Sequence, residues 1–147
     1  MTRAGTWALA ALCVLGCGRA STSRSSAILL EHPQASIAQV YFWRAKPGML
    51  AEYNRYIREV AEPIDREAQR ADGFLAVTTY AANDTTLPWT HMRVFLLRDS
   101  TQLRGLGAAL SAAGARLEPD SIRRRLQGEY SATLRDRVGG SVMEIVR

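Results

Sequence analysis

Apolar positions recur along this chain with two different periods. Residues 37–44 (IAQVYFWR) mix β-branched and aromatic side chains and stop before Lys46-Pro47-Gly48, which predicts a first strand. Across residues 48–70, Leu50, Tyr53, Ile57, Val60, Ile64 and Ala68 fall three or four apart, the stripe of an amphipathic helix. Glu52, Arg55, Arg58, Glu59 and Glu62 take its wet side, with Asp65 and Glu67 continuing the solvated acidic face. Pro63 lacks an amide donor and crowds the preceding turn, so a kink or restart is expected there. Asp72-Gly73 then marks a turn into Phe74–Ala81 and, after a polar link, Trp89–Leu97, two strands of a hairpin. Asp99-Ser100 caps a second helix carrying Leu103, Leu106, Leu110, Ala113 and Leu117, although Gly105, Gly107 and Gly114 weaken it. A break at Glu118-Pro119-Asp120 precedes a third helical stripe through about residue 137. Gly139-Gly140 is expected to turn the chain into a short final strand, SVMEIVR.

The resulting β-α-β-β-α-β order predicts a ferredoxin-like α+β sandwich with its helices on one side of an antiparallel sheet. Its strands are apolar on both faces. Val40 and Phe42 oppose Tyr41 and Trp43, while Met92, Val94 and Leu96 oppose Trp89, His91, Arg93, Phe95 and Leu97. One face meets the helices. The other implies a partner, most simply a second copy in a C₂ homodimer, unless the helix at 120–137 folds across it.

The N-terminus changes the domain count. A basic start, the apolar run Trp7–Gly16 and a small, polar, basic stretch have the order of a secretory signal. About ten apolar residues reach only half of the roughly 20 that a spanning helix needs. The expected division is a signal peptide at 1–16, a lipidated N-terminus and flexible spacer at 17–36, and a folded domain at 37–147. The segment VLGC resembles the lipobox of bacterial lipoproteins, which implies lipidation at Cys17, a membrane anchor and a place in the bacterial cell envelope, on the periplasmic side in a Gram-negative cell. Ordinary signal cleavage near Ala20 is the competing expectation. Removing residues 1–16 takes away Arg3 and Cys13, leaving a single cysteine and lowering the formal charge from +5 to +4. So small an excess gives little reason to expect nucleic acid as a partner.

The strand VYFWRAKPG entering LAEYNRYIREV, then DGF and its strand, then WTHMRVF before the next helix, resembles the dimeric α+β barrel superfamily. That superfamily includes antibiotic-biosynthesis-type and haem-degrading monooxygenases, chlorite-dismutase-like proteins and NIPSNAP-like domains. The resemblance covers about residues 37–147 and implies two subunits packing their sheets into a barrel, often with a pocket between each sheet and its helices. The added stripe at 120–137 departs from the smallest members.

Candidate chemistry is sparse. His91 and Arg93 share a strand parity, as do Tyr41 and Trp43 on the strand expected beside them. His91 is the candidate catalytic group, as base, proton relay or haem ligand; Tyr41, Trp43, Trp89 and Arg93 are the candidate ligand-binding residues. Strand histidines and aromatics are more often packing groups than catalysts. No metal site is expected, since His32 and His91 form no ligand motif, and GxSxG and P-loop signatures are absent. Arg123-Arg124-Arg125 reads first as a solvated helix face. The functional expectation is an exported, tethered, dimeric domain that binds a small apolar ligand. The alternative is a cofactor-independent monooxygenase-like or haem-handling enzyme, with no cofactor expected outside that alternative.

Overall fold

The computed structural model describes residues 29–146. The signal peptide at 1–16, lipidation at Cys17 and most of the spacer fall outside the described residues. No helix among those described is long and apolar enough to cross a membrane.

Four strands form the sheet: β1 (Ile37–Ala45), β2 (Ala76–Ala81), β3 (His91–Leu97) and β4 (Arg135–Glu144). Between β1 and β2 lie α1 (Leu50–Tyr56), a π-helical turn (Ile57–Ala61) and α2 (Glu62–Arg70); α3 (Ser100–Leu117) and α4 (Ser121–Leu134) separate β3 from β4. The strands are ordered β2-β3-β1-β4, and every pair is antiparallel. The sheet is open, with β2 and β4 as its edges. This corrects the fold expectation: the chain is a mixed α+β fold around an open four-stranded sheet, and no barrel is closed.

The π turn lies where Pro63 predicted a break. Pro63 offers no amide to the carbonyl four residues before it and its ring crowds that position, so one turn widens and the helix continues as α2. Asp99 caps α3, its carboxylate accepting from the amides of Thr101 (2.8 Å) and Gln102 (3.0 Å). Asp120 caps α4 in the same way, accepting from Ile122 at 2.8 Å.

The two expected sheet faces separate cleanly. Phe95 and Leu97 from β3 pack with Ala68, Phe74, Leu106 and Ala113 to form the main core. Trp43 and Ala45 at the far end of β1 pack with Tyr53, Ile57 and Leu134. The opposite face carries Ala38, Ala76, Val94 and Leu96, packed among the described residues with Leu29, Ala35, Leu75 and Ile145. Helix α4 does not fold over it: Tyr130 rests against Tyr56 of α1, ring centroids 6.3 Å apart, and hydrogen-bonds Glu52. Residues 29–36 also depart from a free spacer, because Ala35 is buried and Ser36 donates its amide to the Leu97 carbonyl at 3.0 Å.

Gly139 and Gly140 do not turn the chain. They lie inside β4 opposite Phe42 and Tyr41, beside a register shift in the β1–β4 ladder. A Cβ on Gly140 would come within 2.9 Å of the Val40 carbonyl oxygen and 3.4 Å of the Tyr41 ring. These glycines let β4 approach a strand of aromatic residues.

The Asp72-Gly73 turn is held by Arg98, which forks onto the Asp72 carboxylate at 2.9 and 3.2 Å. Asp72 sits at φ 57°. A Cβ on Gly73 would come 2.6 Å from Ala109 Cβ and 3.0 Å from the Ala68 carbonyl oxygen. Gly73→Ala is therefore expected to lower stability by about 1–3 kcal/mol through overpacking, and adding Ala109→Gly to restore part of it. Urea denaturation of the single and double variants checks this; equal stability of Gly73→Ala and the parent contradicts the close approach.

Candidate functional site

The strand pairing brings four of the expected site residues onto the helix-facing side: Trp43 stands opposite His91, and Tyr41 opposite Arg93. Trp89 does not join them. It precedes β3 and packs against Phe42 of the other face, ring centroids 5.5 Å apart.

His91 is 1% exposed and both its nitrogens are engaged. Nε2 lies 2.8 Å from Asn54 Oδ1, an acceptor, so it carries the proton; Nδ1 then accepts from the Thr90 hydroxyl at 2.9 Å. The Tyr53 ring meets the imidazole edge-on at 4.6 Å. Arg135 lies 3.6 Å above the Trp43 ring centroid and donates to the Tyr53 hydroxyl at 3.0 Å. Burial first, and the Arg135 charge second, hold the His91 pKa below its ordinary 6.5. Burial likewise raises the Tyr53 pKa, against the pull of Arg135. The grooves over Val94, beside Asp72, beside Asp65 and beside Pro63 are lined by other residues. This cluster is a buried lock joining β1, β3, α1 and β4, hydrogen-bonded except at the buried Trp43 Nε1, which has no partner among the described residues.

Its titration has a definite sign. Above pH 6.5 the imidazole is neutral folded and unfolded; below it the unfolded chain takes the proton first, so stability falls with falling pH. His91→Gln is expected to flatten that fall below about pH 6.5. Chemical denaturation at several pH values reads it, and an unchanged slope in the variant contradicts it.

Arg93 is not free to meet a ligand head-on. It forms a buried ion pair with Asp65 of α2, donates Nε to the Thr79 hydroxyl at 3.2 Å and lies 5.1 Å from the Phe95 ring centroid. Asp65 therefore departs from the solvated acidic face expected of it. Burial pushes its pKa up, with the Arg93 charge opposing. Tyr41 packs edge-on against Phe95 at 5.9 Å, and Arg137 stands 4.6 Å over its ring. Arg123 is paired with Glu118 (3.8 Å) and Asp120 (3.7 Å), Arg125 with Glu129 (3.6 Å), and Arg124 donates to the Glu118 and Pro119 carbonyls. The arginine tract is largely answered within the chain.

The accessible apolar surface lies on the opposite face. A groove of about 160 Å³ is lined by Ala38, Thr78, Tyr80, Met92, Val94 and Leu96 together with Leu29 and Ile145. The register explains it: Thr78 faces Val94, Tyr80 faces Met92, and the small Ala38 and Ala76 flank Leu96. Small side chains make the floor and longer ones the ends. The residues that had escaped notice in the sequence are Thr78 and Tyr80, whose alternation with Val77 and Thr79 carried no chemical motif, and Asn54, hidden beside Tyr53 in an amphipathic helix. No group of three or more His, Cys, Asp or Glu among the described residues is placed to hold a metal ion. Haem does not fit the residues as they stand. His91 offers no unengaged nitrogen to an iron, and the groove of about 160 Å³ is close to the roughly 150 Å³ of a cavity that accepts benzene, too small for a macrocycle.

No protein-family model matches the chain, and no curated protein matches it. The structure is similar to the crystal structure of HapK from Hahella chejuensis, with a TM-score of 0.53 and 10% identity over 75% of this chain and 92% of that one. Membership of the dimeric α+β barrel superfamily is thus corrected: neither a matching family nor a closed barrel supports it, and no finding supports the signal-peptide, lipoprotein, membrane or periplasmic characterisation drawn from residues 1–28. What the similarity to HapK shows is the fold alone, a mixed α+β chain with an open antiparallel sheet.

Proposed function

We propose that the protein binds a small apolar ligand on the open face of its sheet, and that a second copy covers that face. The observation that carries this reading is the groove over Ala38, Val94 and Thr78, bordered by Tyr80 and Met92. Apolar grooves with few polar groups are the ordinary form of ligand sites. On this face Ala38, Met92 and Val94 stay only half-buried among the described residues, and apolar patches of this kind mark sites of association. A copy related by a two-fold axis would shield it by sheet-on-sheet packing and enclose the ligand between the two sheets. Light scattering on the full chain across a wide concentration range is expected to give a dimer; a monomer throughout overturns the second copy. Crystals of protein kept with its native ligand are expected to show that ligand over Val94, and a ligand lodged beside His91 overturns the site.

A second reading, the monooxygenase-like enzyme, draws on one observation: a neutral histidine enclosed by Trp43 and Tyr53. It requires Thr90 to release Nδ1, or α1 to withdraw Asn54 with the proton moving from Nε2 to Nδ1, so that an unprotonated imidazole nitrogen becomes available as a base. Oxygen uptake with an oxidisable aromatic, lost in His91→Gln, is the result that would favour it over the open-face site.

A further inference from the structure

The lining of the open-face groove narrows the chemistry of its occupant, and the inference drawn from it rests on the ligand-binding reading above. We propose that the groove selects an uncharged aromatic of one or two rings bearing a single oxygen, with that oxygen turned toward Thr78.

Size comes first. Leu96 and Met92 mark the two ends along β3, four residues apart, which is about 13 Å at the rise of an antiparallel strand. From β2 across β3 to β1 is two strand spacings, about 10 Å. The groove's space of about 160 Å³ is similar in size to an apolar cavity of about 150 Å³ that accepts benzene. Because this groove opens to one side, a second fused ring has room and a large macrocycle does not.

Charge and polarity come next. No Asp, Glu, Lys or Arg lines the groove. A carboxylate or sulfonate seated there would lose hydration with nothing to replace it, at a cost that exceeds the gain from burying its rings. The polar side chains in the lining are Thr78 and Tyr80, both on β2 and two residues apart, so they share one wall. The β1 and β3 walls are Ala38, Met92, Val94 and Leu96. A ligand that is apolar on one side and bears one hydroxyl or carbonyl on the other matches this asymmetry. Met92 favours a ring over an aliphatic chain, since its thioether gains from contact with an aromatic edge.

Calorimetric titration of the full chain with naphthalene, 1-naphthol and naphthalene-1-sulfonate tests the proposal. The expected order is 1-naphthol tightest and the sulfonate at least about 30-fold weaker. Thr78→Val, nearly the same shape without the hydroxyl, is expected to weaken 1-naphthol about 3–10-fold and to leave naphthalene unchanged. Thr78→Ser restores the difference, and circular dichroism of all variants confirms the fold. Ala38→Phe fills the floor and abolishes binding of all three. If the sulfonate binds as tightly as 1-naphthol, or Thr78→Val leaves 1-naphthol untouched while Ala38→Phe still removes it, the chemical class is wrong and the groove stands. If none of the three binds, or Ala38→Phe changes nothing, the ligand-binding reading itself fails.

Discussion

Replacing Arg93 by methionine is expected to cost about 3–5 kcal/mol of folding stability, a large share of the roughly 5–15 kcal/mol a domain possesses. The reason is what the substitution leaves behind. Asp65 is 5% exposed and paired with Arg93, whose guanidinium also bonds Thr79 and lies over Phe95. Without that cation the carboxylate is buried and uncompensated, and it must stay charged at high cost or take up a proton. Burial already raises its pKa, and removing the opposing Arg93 charge raises it further. The deficit should therefore shrink as pH falls and Asp65 protonates. Arg93→Met combined with Asp65→Leu is expected to recover most of the loss, since removing both charges leaves only apolar packing. Guanidinium denaturation of the two single variants and the double variant checks the cycle. A double variant no more stable than Arg93→Met contradicts the pairing.

Val94→Asp is expected to weaken ligand binding and self-association by at least about 100-fold while leaving the chain folded. Val94 stands on the open face, opposite Thr78 on β2 and Val40 on β1. A carboxylate there has water while the face is open, so the isolated chain tolerates it. Once a ligand or a second copy covers the face, that charge loses its water without a counter-ion. Circular dichroism, light scattering and ligand titration on one preparation separate the outcomes. Retained dimer and retained affinity contradict the assignment of function to this face.

The strands and helices were legible because each carries its own period. Tyr41 and Trp43 against Val40 and Phe42 announced two apolar sheet faces, and the fold keeps both. The Asp99 cap was legible because Asn, Asp, Ser and Thr answer helix amides locally. What escaped depends on pairing distant in sequence. Gly139-Gly140 carries the signal of a turn, and only the aromatic neighbours on β1 make it a strand. Asp65 was grouped with solvated acids, although it stands three residues before Ala68 on the buried side of its helix, and its partner lies 28 residues away. The candidate site was legible as to strand parity for Tyr41, Trp43, His91 and Arg93. It was not legible that Asn54 and Arg135 would close around His91 beside its neighbour Thr90, because those two come from distant parts of the chain. The groove on the other face had no motif to betray it, being built from the ordinary alternation of β2 and β3. The barrel expectation failed for a related reason: strand pattern specifies which faces are apolar, not whether a sheet closes.

Methyl-resolved NMR of the full chain during titration with 1-naphthol tests the central claim most directly, because the two sheet faces carry different methyl groups. The expected result is a set of shifts confined to Ala38, Met92, Val94 and Leu96, with Ile57, Leu106 and Leu134 on the helix side unmoved. Shifts centred on Ile57 and Leu134, beside His91, would contradict it and return the site to the interior.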